Sequence, residues 1–152
     1  MFASALGSLV PSAVLPAQGI DKFVGTWKMN LAQSKYSSGK PPQELTVTVT
    51  KTPNGYRQLA HGVAADGSRI HTEFTATLDG KDAPVTGSPD YDAVSVKMLD
   101  ANTRHAVRKQ AGKDVQIIHS VVSADGQHYT STAKGVNAKG EPVETTGVFD
   151  KQ

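Results

Sequence analysis

Turn signals recur about every ten residues from Phe23 to the end of the chain, and they constrain the fold more than any other feature. They fall at 53–55, 66–67, 79–80, 100–102, 111–112, 125–126 and 139–140. Most contain Asn-Gly or Asp-Gly, which supply the positive φ angles of tight hairpins. The segments between them are rich in Val, Thr, Ile and Tyr and alternate in polarity, most clearly at 45–50. This pattern predicts short antiparallel strands joined by hairpins, and hence an all-β protein.

Ten strands are predicted, at roughly 24–30, 44–52, 56–64, 69–78, 81–86, 92–99, 103–110, 113–123, 127–136 and 142–149. Residues 31–43 form the one long connection, and no segment of ten residues or more after Asn30 has a helical period. Consecutive hairpin-linked strands favour an antiparallel up-and-down β-barrel, because closure of the sheet leaves no exposed edge.

The first 19 residues differ from the rest because they carry no charge and are rich in small and apolar side chains. The stretch 2–15 is too short to span a bilayer as a helix. It is similar to the apolar middle of a secretory signal peptide, with 17–19 as a small-x-small cleavage site, although no Lys or Arg follows Met1. We therefore expect a leader-like or disordered segment at 1–19 and a single barrel domain at 20–152. The protein would be exported (periplasmic or secreted) if 1–19 is a leader, and cytoplasmic otherwise.

Composition excludes several classes of function. The 152 residues contain 16 Lys and Arg against 14 Asp and Glu, and this net charge of +2 is spread along the chain. Without a basic run, a nucleic-acid partner is not expected. The absence of Cys excludes disulfides, thiolate catalysis and Cys-based zinc sites. No metal site and no transmembrane segment is predicted, and the oligomeric state is left open.

The two ends of the barrel region resemble a known superfamily. Residues 23–29 (Phe-Val-Gly-Thr-Trp-Lys-Met) resemble the opening strand of the calycins, the lipocalin and fatty-acid-binding-protein superfamily. Residues 147–151 (Gly-Val-Phe-Asp-Lys) resemble the closing strand of the fatty-acid-binding branch. The chain as a whole is similar to small exported bacterial lipocalin-like proteins. The resemblance implies a calycin-like barrel over about 20–152, with Trp27 plugging one end and a small ligand in the lumen.

The sequence departs from the fatty-acid-binding branch in two respects. That branch closes with an Arg-x-Tyr pair that grips the ligand carboxylate, whereas Gly147 and Phe149 occupy those positions here. The helix pair that caps those barrels is also missing, because 31–43 is too short and too rich in Pro, Gly and Ser. The expected barrel therefore has no helical cap and no carboxylate clamp on its closing strand.

Side chains alternate across a strand, so the turn registers predict which residues face the lumen. A two-residue turn at 66–67 places His61 opposite Thr72 on the inner face, and turns at 100–103 and 111–112 place His105 there. Val47 and Val49 face inward only if 53–55 is a three-residue bulged loop. The candidate ligand-binding residues on this face are Trp27, His61, Thr72, Phe74, Met98, His105, Gln116, Ser120, Tyr129, Ser131 and Phe149. His71, His119 and His128 are predicted on the outer face, and a one-residue slip would exchange the two sets.

An apolar wall with a few polar groups is typical of a small-molecule site, and a ten-stranded barrel leaves room for one. The first hypothesis is binding of a small hydrophobic or amphipathic molecule, with hydrogen bonds from His61, His105 and Tyr129. The alternative is a cofactor-independent isomerase, cyclase or lyase, in which the two histidines act as acid and base and Tyr129 donates to an oxyanion. A structural protein with a filled barrel is a further alternative. No cofactor is expected. The alternative is a haem group ligated by the histidines.

Overall fold

The computed structural model describes residues 19–152. The leader-like segment predicted at 1–19 therefore lies outside the described residues, apart from Gly19. One short 3-10 helix, η1 (Asp21–Phe23), precedes the strands. The strands are β1 (Gly25–Met29), β2 (Lys35–Tyr36), β3 (Glu44–Thr52), β4 (Gly55–Val63), β5 (Arg69–Thr77), β6 (Ala83–Thr86), β7 (Ala93–Asp100), β8 (Thr103–Gln110), β9 (Lys113–Val122), β10 (His128–Val136) and β11 (Pro142–Lys151).

The strands form one closed antiparallel barrel. From β3 to β11 each strand pairs with the next along the chain, and β1 pairs with both β3 and β11. The two-residue β2 pairs only with β11, so ten strands make the barrel wall and β2 adds to its edge. The predicted ten-stranded up-and-down barrel without a helical cap is confirmed for the described residues. Within 19–152, no helix is long and apolar enough to cross a membrane.

Aromatic side chains close one end of the barrel. Trp27 is completely buried and its Nε1 donates a hydrogen bond to the Phe23 carbonyl oxygen at 2.8 Å. The Tyr129 ring meets Trp27 edge-on, with centroids 4.9 Å apart, and stacks on Phe149 at 4.6 Å. Phe23, the last residue of η1, and Ile20, which immediately precedes η1, are also buried. The plugged end that the resemblance implied for Trp27 is therefore present.

Two hairpins have the predicted register. Phe74 lies opposite Val85 across the hairpin that contains 79–80. Tyr129 lies opposite Val122 across the hairpin that contains 125–126. Both pairs are buried, so the inward facing of these four strands follows directly from the turn residues.

The predicted inward position of His61 is wrong. The loop between β4 and β5 contains five residues, 64–68, closed by hydrogen bonds from Ala64 N to Ser68 O (2.8 Å) and from Gly67 N to Ala64 O (3.0 Å). His61 consequently lies opposite His71 instead of Thr72. This shift of one residue turns His61 to the outer face, where it is exposed.

The adjoining hairpin shifts in the same sense. Its turn contains two residues, 53–54, instead of the predicted three-residue bulged loop. Val47 and Val49 still face inward, but they lie opposite Ala60 and Gln58. The inner face of β4 is therefore made by even-numbered residues, beginning with the fully buried Tyr56.

The predicted inward position of His105 is also wrong. The register of β7 and β8 shifts at Leu99, so that Met98 lies opposite Arg104. The register of β8 and β9 shifts at Val115, so that His105 lies opposite His119. A β-bulge adds one residue to one strand, and each bulge here reverses the facing of everything beyond it. Arg104 and Ala106 are consequently the buried residues of β8.

Hairpin-tip aspartates predict a loss of stability in acid. Four such carboxylates accept hydrogen bonds within their own turn, at Asp66, Asp79, Asp100 and Asp125. At Asp125 the Ser123 hydroxyl, 2.6 Å away, is the largest cause that lowers the pKa below its ordinary value of 3.8. A pKa lower in the folded state stabilises the fold above the unfolded-state value, and this contribution disappears as pH falls through the folded value. We expect urea midpoints to be flat from pH 7 to about pH 5 and to fall below about pH 4.

Asp125→Asn provides the control for this prediction. The amide oxygen keeps the acceptor of the turn but does not titrate in this range. The variant should show a smaller decrease of the urea midpoint between pH 5 and pH 3 than the unaltered protein. An identical decrease would show that this carboxylate makes no contribution to the acid dependence.

Candidate functional site

The lumen contains two cavities that share part of their walls. The inner cavity, about 110 Å³, lies between the aromatic plug and the middle of the barrel. The outer cavity, about 350 Å³, lies at the opposite end of the strands and opens to solvent. Five residues line both cavities: Leu45, Ala60, Thr72, Tyr91 and Arg108. Apolar wall residues of the inner cavity include Val47, Phe74, Val94, Ala106, Ile118 and Phe149.

A larger depression of about 960 Å³ lies outside the plugged end, between the 53–54 turn and the segment after β5. An exposed ion pair between Lys51 and Asp21 stands in its wall, with Nζ and Oδ1 2.6 Å apart. This depression lies on the outer surface of the barrel. We take the lumen as the candidate site because it combines an apolar interior with polar groups that point inward.

Arg104 lies at the deep end of the inner cavity. It is 6% exposed, and its Nη1 donates to Gln58 Oε1 at 3.0 Å. Its guanidinium carbon lies 4.6 Å from the Phe23 ring centroid and 5.5 Å from that of Tyr56. Arg104 is therefore held at the plugged end of the barrel by cation–π contacts with two rings and by one hydrogen bond to a side chain.

Arg108 lies where the two cavities meet. Its Nη1 donates to Gln116 Oε1 at 2.9 Å, and its guanidinium carbon lies 4.4 Å from the Tyr91 ring centroid. Gln116 is held in turn by its Nε2, which donates to the Val136 carbonyl oxygen at 3.0 Å. The amide thus fixes one edge of the guanidinium, while Arg108 as a whole is half-buried and faces the open end.

The charge balance of the lumen is positive. Among residues 19–152, no carboxylate forms an ion pair with Arg104 or Arg108. No Asp or Glu of that range lines the inner cavity. The outer cavity has one acidic lining residue, Asp90, whose Oδ1 accepts the Ala138 N–H at 3.0 Å, and one further cation, Lys40.

Three tyrosines of the lumen are neutral hydroxyl groups. Burial raises the pKa of Tyr129, Tyr56 and Tyr36, while the Arg104 guanidinium acts in the opposite direction at Tyr129 and Tyr56 and that of Arg108 does so at all three. Among the described residues, the Tyr36 hydroxyl makes one hydrogen-bonding contact, of 3.6 Å to Met29 Sδ. Neutral phenols can donate and accept hydrogen bonds, which suits a polar group of a ligand.

Most of the predicted inward residues are brought together. Those that line the inner cavity are Thr72, Phe74, Tyr129, Ser131 and Phe149. Ser120 is fully buried and its hydroxyl lies 2.9 Å from that of Ser131. Gln116 lines the outer cavity and orients Arg108.

The remaining predicted residues lie elsewhere. Trp27 belongs to the aromatic plug, and Met98 lines the depression outside that end. His61 and His105 are on the outer face, so they cannot act as acid and base, or as haem ligands, inside the lumen.

Sequence reasoning missed five residues that bring polar groups to the inner cavity: Tyr56, Gln58, Tyr91, Arg104 and Arg108. Both faces of β8 contain one apolar residue between two polar ones, so hydrophobic alternation gave no preference. The extra residue at Leu99, which brings the arginines inward, has no Gly or Pro beside it, so the sequence contains no signal that would have found them.

No protein-family model matches this sequence, and no curated protein matches it. Among solved structures, the chain is similar to a DUF3598-family protein of unknown function from Nostoc punctiforme, with a TM-score of 0.53 and 16% identity. That alignment covers 91% of this chain and 50% of the other, so this chain spans half its length. The chain is also similar to zebrafish ileal bile acid-binding protein, crystallised with cholic acid, with a TM-score of 0.48, 10% identity, and 86% and 99% of the two chains covered. The likeness to the Nostoc protein shows the fold alone, a closed antiparallel β-barrel.

Proposed function

We propose that the protein binds a small hydrophobic or amphipathic molecule in the barrel lumen. The observation that carries this proposal is the pair of adjoining cavities that share five lining residues, of which the outer one opens to solvent. The outer volume of about 350 Å³ lies in the size range of small-molecule sites, roughly 300–1,000 Å³. The inner cavity adds an apolar wall with a few hydroxyl, amide and guanidinium groups, which can orient a ligand.

The two alternatives have less support. A filled structural barrel would leave no interior space, whereas about 110 Å³ is several times the space that one water needs. A lumen enzyme that works by proton transfer needs an acid and a base close together. The two histidines that would have served lie outside, and no His, Asp or Glu of the described residues lines the inner cavity.

Filling the inner cavity should abolish ligand binding. Ala106 lines that cavity and is buried, so Ala106→Phe places a ring where the ligand would lie. The neutral fluorescent probe N-phenyl-1-naphthylamine should bind the unaltered protein saturably and bind this variant at least about 10-fold more weakly, a change of roughly 1.4 kcal/mol. Fluorescence titration measures both affinities.

Val107→Phe is the matched control for this experiment. Val107 is the next residue of β8 and lies on the outer face opposite Ile117. The control should bind the probe as the unaltered protein does, with circular dichroism establishing that both variants are folded. Equal binding by Ala106→Phe and the unaltered protein would place the site outside the lumen.

A further inference from the structure

One side chain in the lumen has more hydrogen-bonding capacity than the protein uses. A guanidinium is a planar fork of N–H donors that carries a permanent positive charge. At Arg108, one Nη1 contact to Gln116 is the only side-chain hydrogen bond to a protein acceptor among the described residues. The Tyr91 ring covers one face of the guanidinium, so the free donors lie in its plane.

Arg108 also forms no ion pair with any carboxylate of residues 19–152. Asp90, the one acidic residue that lines the outer cavity, accepts the Ala138 N–H through Oδ1 at 3.0 Å. The other charged lining residue, Lys40, has the same sign as Arg108. A partly buried charge without a partner is costly, and this cost is relieved when an opposite charge binds.

Arg104 does not offer the same opportunity. Its guanidinium lies against two aromatic rings and Gln58 at the plugged end, roughly 13 Å along the strand from Arg108. It is nearly inaccessible, whereas Arg108 faces the outer cavity, through which a ligand would enter. Of the two arginines of the lumen, Arg108 is therefore the accessible one with donors available to a ligand.

We propose that the lumen ligand is a small monocarboxylate whose anionic group pairs with Arg108, while its apolar part enters the inner cavity. This inference rests on the proposed function. A planar carboxylate matches the guanidinium fork, because two parallel N–H···O bonds can form at once. The limited inner volume favours a medium-length chain or a single ring over a long acyl chain. The anion site is on β8, and none of the residues that the closing strand β11 contributes to the walls of the two cavities is charged.

The test compares octanoate with its neutral counterpart octanamide by isothermal titration calorimetry at pH 7.4. The unaltered protein should bind octanoate at least about 10-fold more tightly, because only the carboxylate forms charge-assisted hydrogen bonds with Arg108. Arg108→Gln should weaken octanoate binding by about 10- to 100-fold and leave octanamide binding within about 2-fold. Arg69→Gln, which removes an exposed arginine of β5, is the control and should change neither affinity.

The outcomes distinguish a failure of the carboxylate inference from a failure of the proposed function. Equal binding of octanoate and octanamide, or an unchanged ratio in Arg108→Gln, would overturn the carboxylate inference. The lumen could also bind N-phenyl-1-naphthylamine but neither octanoate nor octanamide. That result would overturn the carboxylate inference and leave the proposed function intact. If the neutral probe does not bind either, the proposed function itself fails. Should Arg108→Gln not fold, Arg108→Lys decides: lysine cannot form the two parallel N–H···O bonds, so this variant should bind octanoate at least about 3-fold more weakly and octanamide unchanged, and an unchanged octanoate affinity would overturn the inference.

Discussion

Replacement of Trp27 by Ala is expected to lower the free energy of unfolding by about 3–5 kcal/mol, the range for truncating a buried large aromatic side chain. Trp27 is completely buried at the plugged end, and its ring meets Tyr129 edge-on at 4.9 Å. Truncation removes this contact and also leaves the buried Phe23 carbonyl oxygen without the indole donor. Urea denaturation should be followed by circular dichroism, since Trp27 is the only tryptophan of the chain.

Trp27→Phe separates packing from hydrogen bonding. The phenyl ring retains much of the buried area but has no N–H to donate to Phe23, so we expect an intermediate loss of about 1–3 kcal/mol. A loss below about 1 kcal/mol for Trp27→Ala would contradict the plugged end and with it the placement of β1.

The architecture was predictable because it depends on features that the chain repeats. Hairpin signals at regular spacing set the number of strands, and a series of hairpins has few closed arrangements other than a barrel. Asp79-Gly80 and Asp125-Gly126 also set the correct register of their hairpins, as Phe74 opposite Val85 shows. Local turn chemistry therefore determined topology and part of the facing.

The facing of β4 and β8 was not predictable from the same signals. The Asp66-Gly67 pair lies inside a five-residue loop, although the pair alone favours a two-residue turn. The bulges at Leu99 and Val115 have no Gly or Pro to mark them. Successive side chains of a strand face opposite sides of the sheet. One extra residue in a loop or bulge therefore turns the inward-facing residues of the next strand outward, and the outward-facing ones inward.

The candidate site shows the consequence of these shifts. Residues on strands with the correct register, such as Phe74 and Tyr129, were placed in the lumen correctly. On β8 the turns at 100–103 and 111–112 predicted His105 in the lumen, and the two bulges beside this strand place Arg104 and Arg108 there instead. Arg108, which the predicted register left on the outer face, is the residue on which the more specific ligand proposal rests.

Gly87→Ala is expected to be the other strongly destabilising change. Gly87 follows β6 and has φ = +86°, and an added Cβ would overlap the His71 carbonyl oxygen. The left-handed backbone costs an L-residue about 1–2 kcal/mol. Overlap with a main-chain atom adds about 1–3 kcal/mol, since neither strand can move without disturbing the sheet.

Comparison with Gly67→Ala isolates the cost of the overlap between the added Cβ and the His71 carbonyl oxygen. Gly67 has φ = +87°, almost the same as Gly87, but an added Cβ there would meet nothing within 4 Å. The backbone strain and the effect of alanine on the unfolded chain are therefore common to both variants. In urea denaturation, Gly87→Ala should be less stable than Gly67→Ala by the overlap alone, about 1–3 kcal/mol. Equal stabilities would mean that β6 and the segment after it can move away from β5 freely, and that the barrel wall opens at this strand pair.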